Sequence, residues 1–66
     1  MSEDFNMSMR KFLKQVGVTS QTAIEEAMRS AGADKTAGAE FPVKVVLTIP
    51  DLDLEHTVNG TIKGTD

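Results

Sequence analysis

The stretch DLDLEH, from Asp51 to His56, sets three carboxylates at alternate positions beside the single histidine of the chain. In extended backbone, alternate residues share one side at about 6.6 Å spacing, so a cation could be held loosely there. A calcium loop of the EF-hand type needs a glycine at its sixth position and a bidentate glutamate at its twelfth. Counted from Asp51, those places hold His56 and Ile62. Zinc requires several nitrogen or sulfur ligands, whereas this chain has one histidine and no cysteine, and Glu55 falls on the opposite side of its strand from His56. A Ser-His-acid triad would have to recruit Ser20 or Ser30, and nothing in the spacing selects either. What remains is a solvated turn carrying the carboxylates, with His56 partly buried on the apolar side of a strand. No catalytic residue, cofactor or metal is expected, and hence no enzyme.

Two other stretches invite a ligand. In GVTSQTAIEEAM a glycine, an apolar residue and a Thr/Ser pair precede a helix-like run, the outline of a helix-turn-helix over Val16 to Met28. Its second helix would offer Ser20, Gln21, Thr22 and Glu25 to the bases, with Gln21 able to pair with adenine. Glu25 and Glu26 would repel the same phosphates, and Ala23 stands where the turn's large apolar residue belongs, with Ile24 one step late. The Lys35-Thr36 pair has an aspartate before it and no preceding strand, so it is not a phosphate loop.

Composition narrows the field further. The chain has 66 residues, room for one small domain with a thin core. Seven Lys and Arg against ten Asp and Glu give a net charge of −3, the reverse of the balance that phosphate binding favours. Arg10, Lys11 and Lys14 cluster early, while Glu40, Asp51, Asp53 and Glu55 make the later part acidic. Phe5, Phe12 and Phe41, the three aromatics, fall at core positions of the patterns below, so no stacking platform for bases is offered. Nucleic acid is therefore argued against as a partner. The acidic start lacks a signal peptide's basic and apolar regions, and no stretch reaches the length of a membrane span. Together with the absence of cysteine, this predicts a cytoplasmic protein without membrane contact.

The elements that position these residues follow from periodicity. Phe5, Met9, Phe12, Leu13 and Val16 form one helical stripe, with Asp4 or Asn6 available as N-cap and Gly17 as a stop. Ile24, Ala27, Met28 and Ala31 form another, with Thr19 or Ser20 as cap and Gly32 as stop. The spacing predicts helices over about 5–16 and 20–31 joined at a corner, then a linker over 32–40 rich in small residues.

From Phe41 the period becomes two. Phe41, Val43, Val45, Leu47 and Ile49 alternate with Pro42, Lys44, Val46 and Thr48, and Leu54, His56, Val58, Gly60 and Ile62 with Glu55, Thr57, Asn59 and Thr61, with the turn sequence PDLD between. Pairing Ile49 with Leu54 and Leu47 with His56 puts both apolar sets on one face. A competing turn at Asn59-Gly60 would leave only a short second strand and turn Ile62 outward. The expected fold is thus α+β, in the order α-α-β-β, with two helices on one face of a hairpin over about 41–63, in a single domain. An isolated hairpin leaves strand edges open. Lys44, Val46, Thr48, Thr57 and Thr61 mark the expected interaction edge, for an unknown protein partner or for self-association.

The stretches FNMSMRKFLKQVGVTSQTAIEEAMR, KVVLTI, LDLEH and VNGTI resemble a family of short bacterial proteins described only as a domain of unknown function. The likeness covers nearly the whole chain, is strongest from Phe5 to Gln21 and is weakest from Ala33 to Glu40. It implies a bacterial, free-standing protein and supplies no residue roles.

Overall fold

The structure, a computed structural model, describes residues 2–64, and its elements run in the α-α-β-β order of the α+β class. Helix α1 spans Glu3–Ala31, α2 spans Ala33–Thr36, and strands β1 (Glu40–Ile49) and β2 (Leu54–Lys63) flank a 3-10 turn, Pro50–Leu52. The chain divides between Ser30 and Ala31 into a helical unit and a hairpin unit.

The two helical segments expected over 5–16 and 20–31 are one continuous helix. Gly17 does not end it, because a glycine in a helix interior costs only about 1 kcal/mol relative to alanine. A corner would forfeit several backbone hydrogen bonds and need a packed core to repay them. Thr19, expected as a cap, is helical, and its hydroxyl donates to the carbonyl of Gln15 at 2.8 Å. Thr22 donates likewise to Val18 at 3.3 Å. The start is capped by Ser2 rather than Asp4 or Asn6: the Phe5 amide donates to Ser2 Oγ at 3.1 Å. Glu3 and Asp4 then lie in the first turn and Arg29 in the last, each with the sign that the helix dipole favours. Gly32 ends α1 as expected, with φ at +87°, a backbone region that side chains strongly disfavour.

The linker expected over 32–40 contains α2, a single turn. Thr36, on that turn, is the one buried residue among those described, and its hydroxyl donates to the Gly32 carbonyl at 3.1 Å. After it, the Ala39 amide donates to the Thr36 carbonyl at 3.2 Å, and the Gly64 amide to the Ala39 carbonyl at 2.7 Å. The open end of the hairpin is therefore linked to α2 by backbone hydrogen bonds.

Strand register is as the alternation requires: Ile49 pairs with Leu54, Leu47 with His56, Val45 with Val58, Val43 with Gly60 and Phe41 with Ile62. The rival turn is excluded, since Asn59 pairs with Lys44 inside the ladder. Pro50 opens the turn and Asp53 closes it in the left-handed region, φ 52° and ψ 34°, with its amide donating to the Pro50 carbonyl at 3.1 Å. Aspartate tolerates that conformation better than most residues.

Two substitutions test this account. Gly17→Ala adds a methyl group with nothing within 4 Å and should stabilise α1 by about 1 kcal/mol, seen as a gain in far-ultraviolet helix signal and melting temperature. A loss would show that the glycine bends or opens the helix. Gly64→Ala would drive a methyl group into the Thr36 carbonyl, which is backbone and cannot swing aside. We expect a cost of about 1–3 kcal/mol and faster hydrogen exchange of the amide at position 64. Unchanged exchange would disprove the tie.

Candidate interaction surfaces

Three surfaces present themselves, and each follows from a periodicity. On α1, Phe5, Val16 and Ala27 recur every eleven residues, as do Met9, Ser20 and Ala31, with Leu13 and Ile24 beside them and Phe12 and Ala23 on the other flank. Eleven residues make three turns of a nearly straight helix, so the stripe keeps to one face from end to end, about 39 Å. Its first half is bulky and its second half is small. Phe5, Met9, Phe12 and Leu13 are 42–53% exposed. The expected division at Gly17 hid this continuity, although the eleven-residue spacing was present to be read.

The second surface is the apolar face of the hairpin. Phe41, Val43, Leu47 and Ile62 are half-buried, while Val45, Val58, Ile49 and Leu54 are exposed. His56 stands on this face opposite Leu47, as its alternation requires, yet it is exposed rather than partly buried.

The third is the outward face. Lys44, Val46, Thr48, Thr57 and Thr61 are all exposed and share it. Val46 lies directly opposite Thr57, Thr48 opposite Glu55, Lys44 opposite Asn59 and Thr61 opposite Pro42. The five residues are thus brought together on a face, and the sheet they belong to has two strands, so each strand keeps one side without a strand neighbour.

The residues with chemical potential lie on several different elements. Among the described residues no group of three His, Asp or Glu side chains could hold a metal ion. Ser20 and Ser30 belong to the helical unit and His56 to the hairpin unit. Val16 to Met28 lies wholly within α1, so no turn separates a supporting helix from a reading helix and the helix-turn-helix is absent. Asp51 falls in the 3-10 turn, Asp53 at its left-handed end and Glu55 in β2, which breaks the regular spacing that extended backbone would have given the three carboxylates. No described helix is long and apolar enough to cross a membrane.

No curated protein and no solved structure matches the chain. A family model described as "Family of unknown function (DUF6494)" matches residues 1–65. With that model spanning the helical unit and the hairpin alike, the chain belongs to this family of unknown function.

Proposed function

We propose that this protein is a small interaction module that works by covering its apolar side chains with another polypeptide, and that it performs no catalysis. One observation carries the reading: among the described residues no hydrophobic side chain is buried, while large ones from Phe5 to Val58 stand exposed along both units. Water leaves such surface at a gain of roughly 25 cal/mol per Å², and contiguous apolar patches on small proteins mark contact sites. The cysteine-free composition suits the reducing interior of a bacterial cell, and a bacterial origin and cytoplasmic action form part of the same proposal.

A second route to association is favoured by the two-stranded sheet. Unpaired N–H and C=O groups along an edge accept a further strand, and the mild, β-prone surface around Val46, Thr48, Thr57 and Thr61 would suit it.

Association predicts that stability depends on concentration. Thermal unfolding followed by circular dichroism should shift upward by several degrees as the chain is concentrated, or on adding a protein that the tagged chain retains from its host. Phe12→Asp should abolish the shift if the helix stripe is the contact, and Val46→Lys if the strand edge is. A cooperative, concentration-independent transition, combined with no retained protein, would refute the module.

A further inference from the structure

Resting on the interaction reading above, we infer that β2 pairs with β2 of a second copy, antiparallel, about a two-fold axis that passes Asn59 perpendicular to the sheet. The two hairpins then join as one four-stranded sheet in the order β1-β2-β2-β1.

Backbone phase decides which groups each edge has to offer. The Gly64 amide donates to the Ala39 carbonyl one rung outside the pair Glu40 with Lys63. Hydrogen-bonded and open pairs alternate along an antiparallel ladder, and the register runs unbroken from Glu40 to Ile49. The backbone groups of Glu55, Thr57, Asn59, Thr61 and Lys63 therefore point away from β1, and all five residues are exposed. On β1 the outward set is Glu40, Pro42, Lys44, Val46 and Thr48. Pro42 has no N–H to give, so that edge is interrupted, as edges that carry proline are. The β2 edge is complete.

Side chains select the occupant. Reversed about Asn59, Glu55 comes opposite Lys63 of the second copy and Thr57 opposite Thr61. Every outward N–H of one β2 then meets an outward C=O of the other. Opposed residues of an antiparallel pair share a face and interact there, so Glu55 and Lys63 meet with opposite charge, once at each end by symmetry. Lys63 already lies opposite Glu40 in its own hairpin, and in the pair it stands between two carboxylates. Asn59 meets its own copy at the axis, with a side-chain amide that both donates and accepts. On the other face Val58 comes opposite Gly60 and His56 opposite Ile62, so the apolar faces of the two hairpins lie on one side and become continuous.

The alternatives lose something in each case. A shifted axis carries Glu55 or Lys63 past the end of the opposing strand and forfeits the ion pairs. Pairing β1 with β1 about Lys44 would set that lysine against its own copy and Pro42 against Val46, whose carbonyl would find no donor there. A β1 to β2 contact would leave one edge open on each side and propagate, whereas the two-fold pair closes. The edges it leaves outside are those of β1, which Pro42 and Lys44 blunt.

Amide hydrogen exchange on the full chain, followed as concentration rises, reads the pairing without a mutation. The amides of Thr57, Asn59 and Thr61 should slow, while those of Lys44, Val46 and Thr48 keep exchanging. In sedimentation, Glu55→Lys and Lys63→Glu should each weaken the homodimer on the order of tenfold, since both ion pairs become like-charge contacts. An equal mixture of the two variants should recover the affinity, because each chain supplies the charge that the other lacks. The chain has no cysteine, so Asn59→Cys should link to its own copy under mild oxidation, the opposed Cα atoms lying about 5.5 Å apart. Lys63→Cys should not, its two copies lying about 27 Å apart along the strands. Slowing of the β1 amides in place of those of β2, or self-linking of Lys44→Cys in place of Asn59→Cys, would move the contact to β1. Either result would overturn the inference and leave the interaction reading intact, as would a mixture no tighter than its components. A strict monomer at high concentration would overturn the pairing too, and the interaction reading would fall with it only if the tagged chain also retained no protein from its host.

Discussion

The apolar side chains of a 66-residue chain have little polypeptide available to cover them, and most of what this molecule does structurally is a response to that shortage. A domain of this size hides only about 60% of its unfolded surface, and here the shortfall is concentrated in two amphipathic elements. Backbone polar groups escape the difficulty, because a helix and a hairpin satisfy them locally. Side chains do not. The result is secondary structure that is well formed and well terminated, carrying large apolar side chains that stay exposed.

The same constraint explains why the helix runs on through Gly17. Folding the helical segment back on itself would require the two halves to share a core, and besides Ile24 and Met28 the second half offers only the small Ala23, Ala27 and Ala31. Hydrogen-bond continuity therefore prevails, reinforced by hydroxyls that turn inward on their own helix at Thr19 and Thr22. An uninterrupted stripe serves an intermolecular contact better than a bent one, since a straight ridge can be matched along its whole length.

Legibility followed the range of the forces involved. The hairpin register could be read because a one-residue slip would move every apolar side chain to the wrong face, and Phe41 through Ile62 agree on a single answer. Gly32 could be read as a stop because its backbone departs from helix in a way few residues tolerate. Gly17 was misread because glycine permits a break without imposing one, and the outcome depended on how much tertiary contact was on offer. Ser2 caps the helix where Asp4 or Asn6 was expected, since a serine, an aspartate and an asparagine in one stretch are equally good caps by type. His56 fell on the predicted face, but its exposure was set by packing that no local pattern encodes. The bond from Gly64 to Ala39 was not legible, for it joins backbone groups distant in sequence.

That bond changes the character of the hairpin. A free hairpin is closed at its turn and frays from the other end, where no covalent link holds the strands together. Here the Gly64 to Ala39 hydrogen bond continues the same register one rung beyond Glu40 with Lys63, at the end opposite Pro50–Leu52. The pair Glu40 with Lys63 is therefore flanked on both sides instead of standing at the open end of the ladder.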